Sequence, residues 1–383
     1  MEVMGSTRKL LALLAFVLGI ATVPHRVCER EAGAWFDGDP ARVDALAAQV
    51  ADWTAEDLAP STFATGSERF DGEWQFGTYM MAAMGFGQVV LARPERRDES
   101  LARMERCLDA LLSPAVHRFD TAAWDEDALV SLERADARGH VAYLGYAGIA
   151  LGLHRVLRPA SRFSEIDDRI VDALVRRLEA SPAGFAETYP GEVYPVDNTA
   201  AFAAIALHAR ATRRPVPAVV TRGIAALRAK AIDPASGLLF QAVRLDDASP
   251  RDAARASGTA LAAYFLAYAD GASSSLLYAA LEKEQLRTVL GFGAMLEYPG
   301  GRGGGDIDSG PIALGFGVSA TGFALGASRA HGDREVFTAL YATTHLFGAP
   351  FDERGKRTHA TGGPLGDAIL FAMMTAPSAA RFA

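Results

Sequence analysis

The chain has little of what several common functions require. Two cysteines in 383 residues, Cys28 and Cys107, make neither a disulfide framework nor a metal motif. No two histidines stand four residues apart, so no zinc-binding helix is written. There is no G-x-S-x-G and no Cys/His arrangement in a loop, which removes two common nucleophiles. A basic cluster is also missing: the net charge is -8, the opposite of what phosphate neutralisation needs, which argues against a nucleic-acid partner. No convincing apolar/polar alternation marks a strand. The glycine run at 303–305 lacks the Lys-Ser/Thr ending of a phosphate loop, and Asp306 and Asp308 behind it are too few for a calcium loop. No cofactor and no metal are expected.

What is present is Ala, Leu and Gly in a chain that is half hydrophobic, a composition favouring helix and able to fill a sizeable core. Near the start, Arg8 and Lys9 lead into an apolar run from Leu10 to Val23. That run is shorter than the roughly 20 residues of a bilayer span but suits the apolar region of a secretory signal. Residues 1–23 therefore read as a signal peptide or membrane anchor, which puts the protein in the periplasm or otherwise outside the cytoplasm and allows membrane association at this end. Residues 24–383 read as one domain, and nothing in them bars self-association.

From residue 40 the pattern is one of helix pairs. The first members, at 40–59, 97–113, 163–181, 217–231, 274–292 and 333–347, have apolar residues at spacings of three and four and charges opposite. The second members, at 73–92, 139–157, 197–211, 253–269, 309–330 and 363–375, are apolar all round and rich in small residues, as helices buried on every side should be. They begin about 55 to 65 residues apart, the signature of a repeated unit. Six such hairpins predict an all-α (α/α)6 toroid, with an outer ring shielding an inner one. The inner helices then run the same way, and their N-termini gather at one mouth where polar and anionic ligands are favoured.

The loops entering the inner helices are accordingly where chemistry is expected, and five of the six carry acidic side chains. The third, ETYPGEVYPVDN at 187–198, packs Glu187, Glu192, Asp197, Tyr189 and Tyr194 together. Asp197 caps the following helix or, in an apolar mouth, serves as a general acid. Glu187 is a further catalytic candidate and Glu192 a substrate contact. In GGGDIDSGP, one of Asp306 and Asp308 caps a helix and the other is an acid or positions water. His140 alone among the histidines starts an inner helix, with Tyr143 a turn on; Trp74 stands at another entrance.

Three stretches, RGHVAYLGYAGIALGLHRVLRPASRF, DPASGLLFQA and DIDSGPIALGFGVSATGFALGASRAHGD, resemble the linalool dehydratase/isomerase family in order and spacing over residues 70–345. The resemblance implies an (α/α)6 fold and an exported location, and it matches His140 to the family's Gly-His histidine. The family's two catalytic cysteines fall near Glu187 or Thr188 and at Asp197, so carboxylates stand where thiols would be. One cysteine of its structural disulfide matches Cys107; the partner position is not cysteine, and Cys28 would have to substitute. The leading reading is thus an exported lyase or isomerase acting on a small, largely apolar alcohol or alkene. Asp197 or Asp308 would protonate it, His140 or a carboxylate would remove a proton, and Trp74, Tyr143, Tyr189 and Tyr194 would line the pocket and face positive charge. A carbohydrate-active enzyme of glycoside hydrolase type is the alternative, and a non-catalytic envelope binding protein the third reading. A closed apolar cavity marks the lyase; an open cleft with aromatic faces and carboxylates marks the glycosidase.

Overall fold

Helices without a polar face can be stable only when other helices surround them, and six such helices here surround one another. The computed structural model describes residues 2–55, 58–136, 138–306 and 310–382. In chain order its helices include α1 (Glu2–Glu29), α2 (Ala32–Asp37), α3 (Pro40–Trp53), α4 (Glu68–Ala92), α5 (Arg97–Leu111), α6 (Arg118–Trp124), α7 (Val141–Leu157) and α8 (Ser164–Ala180). They continue as α9 (Pro195–Thr212), α10 (Ala218–Ala226), α11 (Ala256–Leu266), α12 (Gly271–Ala280), α13 (Val318–Ala330), α14 (Arg334–Gly348) and α15 (Gly363–Met374). The inner ring runs α4, α7, α9, α11, α13, α15 and closes where α15 packs on α4. Outside it lie α5, α8, α10, α12, α14 and α3, the last packed on α15 and α4. The protein is an (α/α)6 toroid, as the pairing of helices predicts.

Small residues set how tightly the ring closes. On α7, Gly145, Gly148 and Gly152 face α9; a Cβ built on Gly148 would stand 3.0 Å from the Ala204 Cβ, and one on Gly152 would stand 2.9 Å from the Leu207 Cβ. The same device joins α4 to α15, where Gly85 receives the Phe371 ring. Far from the mouth the core is sealed by a polar knot. Gln88 donates to Tyr268 Oη at 2.8 Å and also to Tyr264 Oη, while Thr375 Oγ1 donates to Gln88 Oε1 at 2.7 Å.

The connections at that sealed end are short: 93–96, 158–163, 213–217, 267–270 and 331–333. Those leading into the inner helices are long and carry α6 and three β-hairpins, so the asymmetry between the two ends is as the loop composition predicts. The hairpins are a correction to the expectation of no strands. They pair β1 (Leu286–Val289) with β2 (Phe292–Met295), β3 (Ile312–Ala313) with β4 (Phe316–Gly317), and β5 (Pro350–Glu353) with β6 (Lys356–His359). Each closes through two left-handed residues, Leu290-Gly291, Leu314-Gly315 and Arg354-Gly355, the geometry of a type I′ turn. Consequently the helix expected over 274–292 ends in a π-helical turn at Gln285, and α13 starts at Val318 rather than 309. Strands of two to four residues are too short for alternation to register.

At the N-terminus α1 outruns the apolar stretch, continuing through Pro24 to Glu29. The segment Leu11–Asp37 is, among the described residues, long and apolar enough to cross a membrane by length and composition. Leu11, Leu14, Phe16 and Leu18 stand exposed on it, and such a helix could serve as a signal sequence. Its far end docks: the His25 ring meets Phe292 edge-on at 5.5 Å, and α1 packs on α14. Cys28 and Cys107 are separate, buried free thiols, and burial pushes Cys107 up to about 12.

Gly152→Leu tests the ring-closure argument. The substitution gains up to about 1 kcal/mol of helix propensity but overpacks the α7–α9 seam at a cost of about 1–3 kcal/mol. A lower urea midpoint with an unchanged m-value is the expected outcome.

Candidate active site

Among the described residues, the inner helices are part-exposed near their first turns and again at their far ends, and buried between. Trp74 and Gly77 on α4, Tyr146 on α7, Val196 before the second turn of α9, Ser319, Gly322 and Phe323 on α13, and Leu365, Gly366 and Ile369 on α15 are part-exposed, while the following turns are buried. The toroid is thus a cup, open at the mouth and closed below.

On the wall of the cup stands Asp197. The chain enters α9 through Pro195, and Asn198 fastens that entrance: its amide accepts from Ala186 N at 2.9 Å and donates to Ala186 O at 3.0 Å and Tyr194 O at 3.1 Å. Asp197 lies inside the first turn rather than at the cap, near the positive end of the helix. Tyr146 Oη donates to its Oδ1 at 2.7 Å, and the Tyr146 ring meets Phe265 of α11 edge-on at 5.2 Å. Because α7 and α11 flank α9, this contact places the phenol inside the ring.

Above the cup, Trp74, Thr65, Gly305, Asp306, Gly310 and Pro311 line a cavity of about 370 Å³ that is open to solvent. It lies where the glycine-rich loop before α13 reaches across to α4. Arg255 anchors that loop: buried at the start of α11, it donates to Asp306 Oδ2 and to Gln241 Oε1, both at 2.6 Å. Glu297, fully buried 3.9 Å from Arg255, accepts from Ser257 Oγ at 2.5 Å, and its other oxygen has no partner among the described residues. Burial lifts its carboxyl above the usual range, against the pull of Ser257 and Arg255. Gly317 leaves the space this carboxylate occupies.

The remaining candidates fall into two groups. Tyr189, Glu187, Glu192 and Tyr194 fasten the loop before α9. Tyr189 Oη donates to Glu73, and the Arg69 guanidinium lies 3.6 Å over the Tyr189 ring. Glu187 accepts from Gly191 N at 2.8 Å, and Tyr194 Oη donates to Glu192 Oε2 at 2.9 Å. His140 and Tyr143 lie wholly within the wall. Tyr143 Oη donates outward to Leu111 O at 3.0 Å, and its ring stacks on His117. His140 sits between Asp120 (Nδ1 to Oδ2, 2.6 Å) and Glu126 (Nε2 to Oε1, 3.3 Å), packed against Trp124. Burial raises the Asp120 carboxyl despite that histidine. Asp308 lies outside the described residues.

Tyr146, Arg255 and Glu297 were not singled out by sequence reasoning. Signals for two of them were on hand: Tyr146 stands three residues after Tyr143 on the same helix, and Arg255 is the lone cation at a charge-poor helix start. Away from the mouth, Asp167, Asp168 and His208 bring ligand-type atoms within 4.8 Å of one another. A side-chain cation already holds that place, since Arg155 Nη1 lies 3.0 Å from Asp167 and 2.5 Å from Asp168.

No protein-family model matches the chain, and no curated protein matches it in sequence. Solved structures do match in fold. The GH76A alpha-1,6-mannanase from Salegentibacter sp. HEL1_6 superposes with a TM-score of 0.51 at 11% identity, over 79% of this chain and 88% of its own. An inactive variant of that enzyme, with two adjacent aspartates changed to alanine and bound to alpha-1,6-mannotetrose, gives 0.51 at 14% identity over the same shares. These likenesses carry the fold. They also correct the linalool dehydratase/isomerase resemblance and the lyase or isomerase activity drawn from it, because the solved structures that match here are alpha-1,6-mannanases. The physical reason is that the matched stretches are dominated by Gly/Ala inner helices and acidic loops. Gly145, Gly148 and Gly152, which carried much of the likeness, serve the α7–α9 seam.

Two outcomes follow. His140→Ala strips the buried Asp120 of its partner and is expected to cost about 3–5 kcal/mol in a denaturant titration. Asp167, pushed up to about 6 by burial against Arg155, binds its proton more tightly folded than unfolded. Its stabilising contribution is whole below pH 3.8 and is lost as pH rises through about 6, so Asp167→Asn should flatten the stability–pH curve across that window.

Proposed function

We propose that the protein is carbohydrate-active, of glycoside hydrolase type, and that a glycan enters the mouth of the toroid between Trp74 and the glycine-rich loop. The observation that carries this reading is the cavity, open to solvent, that Trp74 and Asp306 both line. A lyase for a small apolar alcohol would need a closed apolar chamber instead. The alpha-1,6-mannanases that share the fold add support and make alpha-1,6-mannan a natural first substrate to try.

Glycosidic cleavage needs one carboxyl group to protonate the leaving oxygen and another to attack carbon or activate water. Asp197 fits the second role: it lies in the first turn of α9 beside the positive end of the helix, and the Tyr146 hydroxyl donates to its Oδ1 from inside the ring. Asp306 is committed to Arg255, which leaves Asp308, two residues further on the same loop, as the proton donor. Trp74 offers the apolar face against which a sugar ring stacks. In this reading Arg255 is a positioning residue, holding Asp306 of the glycine-rich loop. The apolar N-terminal helix fits an exported protein, held at the membrane or released from it, in the compartment where such polymers lie.

One observation favours glycan binding without cleavage. Adjacent aspartates occur in this chain only at 167–168, on the outer helix α8, and at 246–247, in an exposed turn; Asp197 is followed by Asn198, whose amide is spent on the loop. Reducing-end release and calorimetric binding separate the two. Asp197→Asn is expected to cut turnover of the best substrate by at least about a hundredfold while oligosaccharide affinity stays within about twofold. Turnover unchanged by the substitution removes Asp197 from the chemistry.

A further inference from the structure

A second cavity, of about 450 Å³, opens on the outer side of the rim, between the end of α3 and the β5–β6 hairpin. Beneath it lies a side-chain arrangement that the mouth does not use. Asp367, fully buried in α15, takes four donors: Trp53 Nε1 at 2.9 Å and Thr358 Oγ1 at 2.7 Å on one oxygen, His359 N at 3.0 Å and His359 Nδ1 at 2.8 Å on the other. Since a carboxylate can only accept there, Nδ1 of His359 carries the proton. That leaves Nε2, to which no described residue bonds, on a residue that is only 4% exposed and lines the cavity. A nearly buried imidazole held in one tautomer, with its acceptor nitrogen at the cavity, can take a hydroxyl or another donor supplied from outside.

The charges around the cavity identify the class of that ligand. Lys356 is paired with Asp52, and Arg354 lies 3.7 Å from Glu353, so the cavity lining carries two cations and two anions and no net charge. Gln49 adds a neutral amide, and Phe351, 47% exposed, offers an open ring edge and face. A neutral ligand rich in hydroxyls with one apolar face suits this lining, whereas an anion would find each cation beside a carboxylate.

Position links this site to the mouth. Gly363, the first residue of α15, lines the rim cavity, and in the ring α15 lies between α4 and α13, the helices whose entrances frame the groove at Trp74. We propose that the rim cavity is a distal saccharide subsite that holds a neutral sugar unit of a long glycan whose other part occupies the mouth. This rests on the carbohydrate reading of the mouth.

Calorimetric titration with disaccharides and octasaccharides from alpha-1,6-mannan, alongside reducing-end release, tests it in wild type, Phe351→Ala, His359→Gln and Asp197→Asn. Phe351 is on the surface of a hairpin, so its variant keeps the test sound if His359→Gln fails to fold. The expected result is octasaccharide binding weakened about fivefold by Phe351→Ala, with disaccharide affinity changed much less. Octasaccharide binding equal to wild type in Phe351→Ala overturns the rim subsite, and the mouth reading survives if Asp197→Asn has lost turnover. Octasaccharide binding weakened by Phe351→Ala without turnover by any variant keeps the rim subsite and overturns cleavage at the mouth. A wild type that neither binds nor cleaves these saccharides overturns both.

Discussion

Everything in this protein depends on how closely six apolar helices can approach one another. Glycines on α7 let α9 come within Cβ-contact distance, and Gly85 admits the Phe371 ring between α4 and α15. With those seams closed, the inner helices need no polar face and the ring excludes water below its first turns. Parallel inner helices then put six N-termini at one end. The long connections must gather there too, because the short ones already occupy the other end.

That geometry decides what the acidic loops do. Six bundled N-termini leave many backbone N–H groups and a field that favours anions, so carboxylates at the mouth are as much a structural need as a chemical one. Most of them are spent in this way. Glu73 and Arg69 clamp Tyr189, Glu187 closes its own turn, and Arg255 ties Asp306 down. Asp197 differs in facing the inside of the ring beside Tyr146. The rim repeats the distinction: Asp367 is saturated by four donors, and the second nitrogen of His359 is left facing the cavity. Carboxylates that organise and groups that remain available are neighbours throughout.

The architecture was legible because its signal is long. Helices of ten or more residues with alternating amphipathic and uniformly apolar character fix both the count and the direction of the hairpins. The strands escaped because each spans at most four residues and is set by a two-residue turn such as Leu290-Gly291. The site was legible only as a region. Loop composition located the mouth, but the choice between Asp197 facing inward and His140 sealed between Asp120 and Glu126 depends on packing between elements far apart in sequence. Arg255 and Glu297, a buried pair at the foot of the glycine-rich loop, left no periodic trace. The family resemblance misled for a related reason, since small residues and acidic loops answer to the toroid before they answer to any one reaction.

The central claim is that a glycan lies in the open groove with a glycosidic linkage presented to Asp197. A crystal structure of Asp197→Asn soaked with alpha-1,6-linked manno-oligosaccharide tests it most directly. The account predicts a sugar ring stacked on Trp74 and an acetal carbon or oxygen within about 3–3.5 Å of the residue 197 side chain. Oligosaccharide bound only outside the groove, or a groove that stays filled with water at saturating ligand, would contradict it.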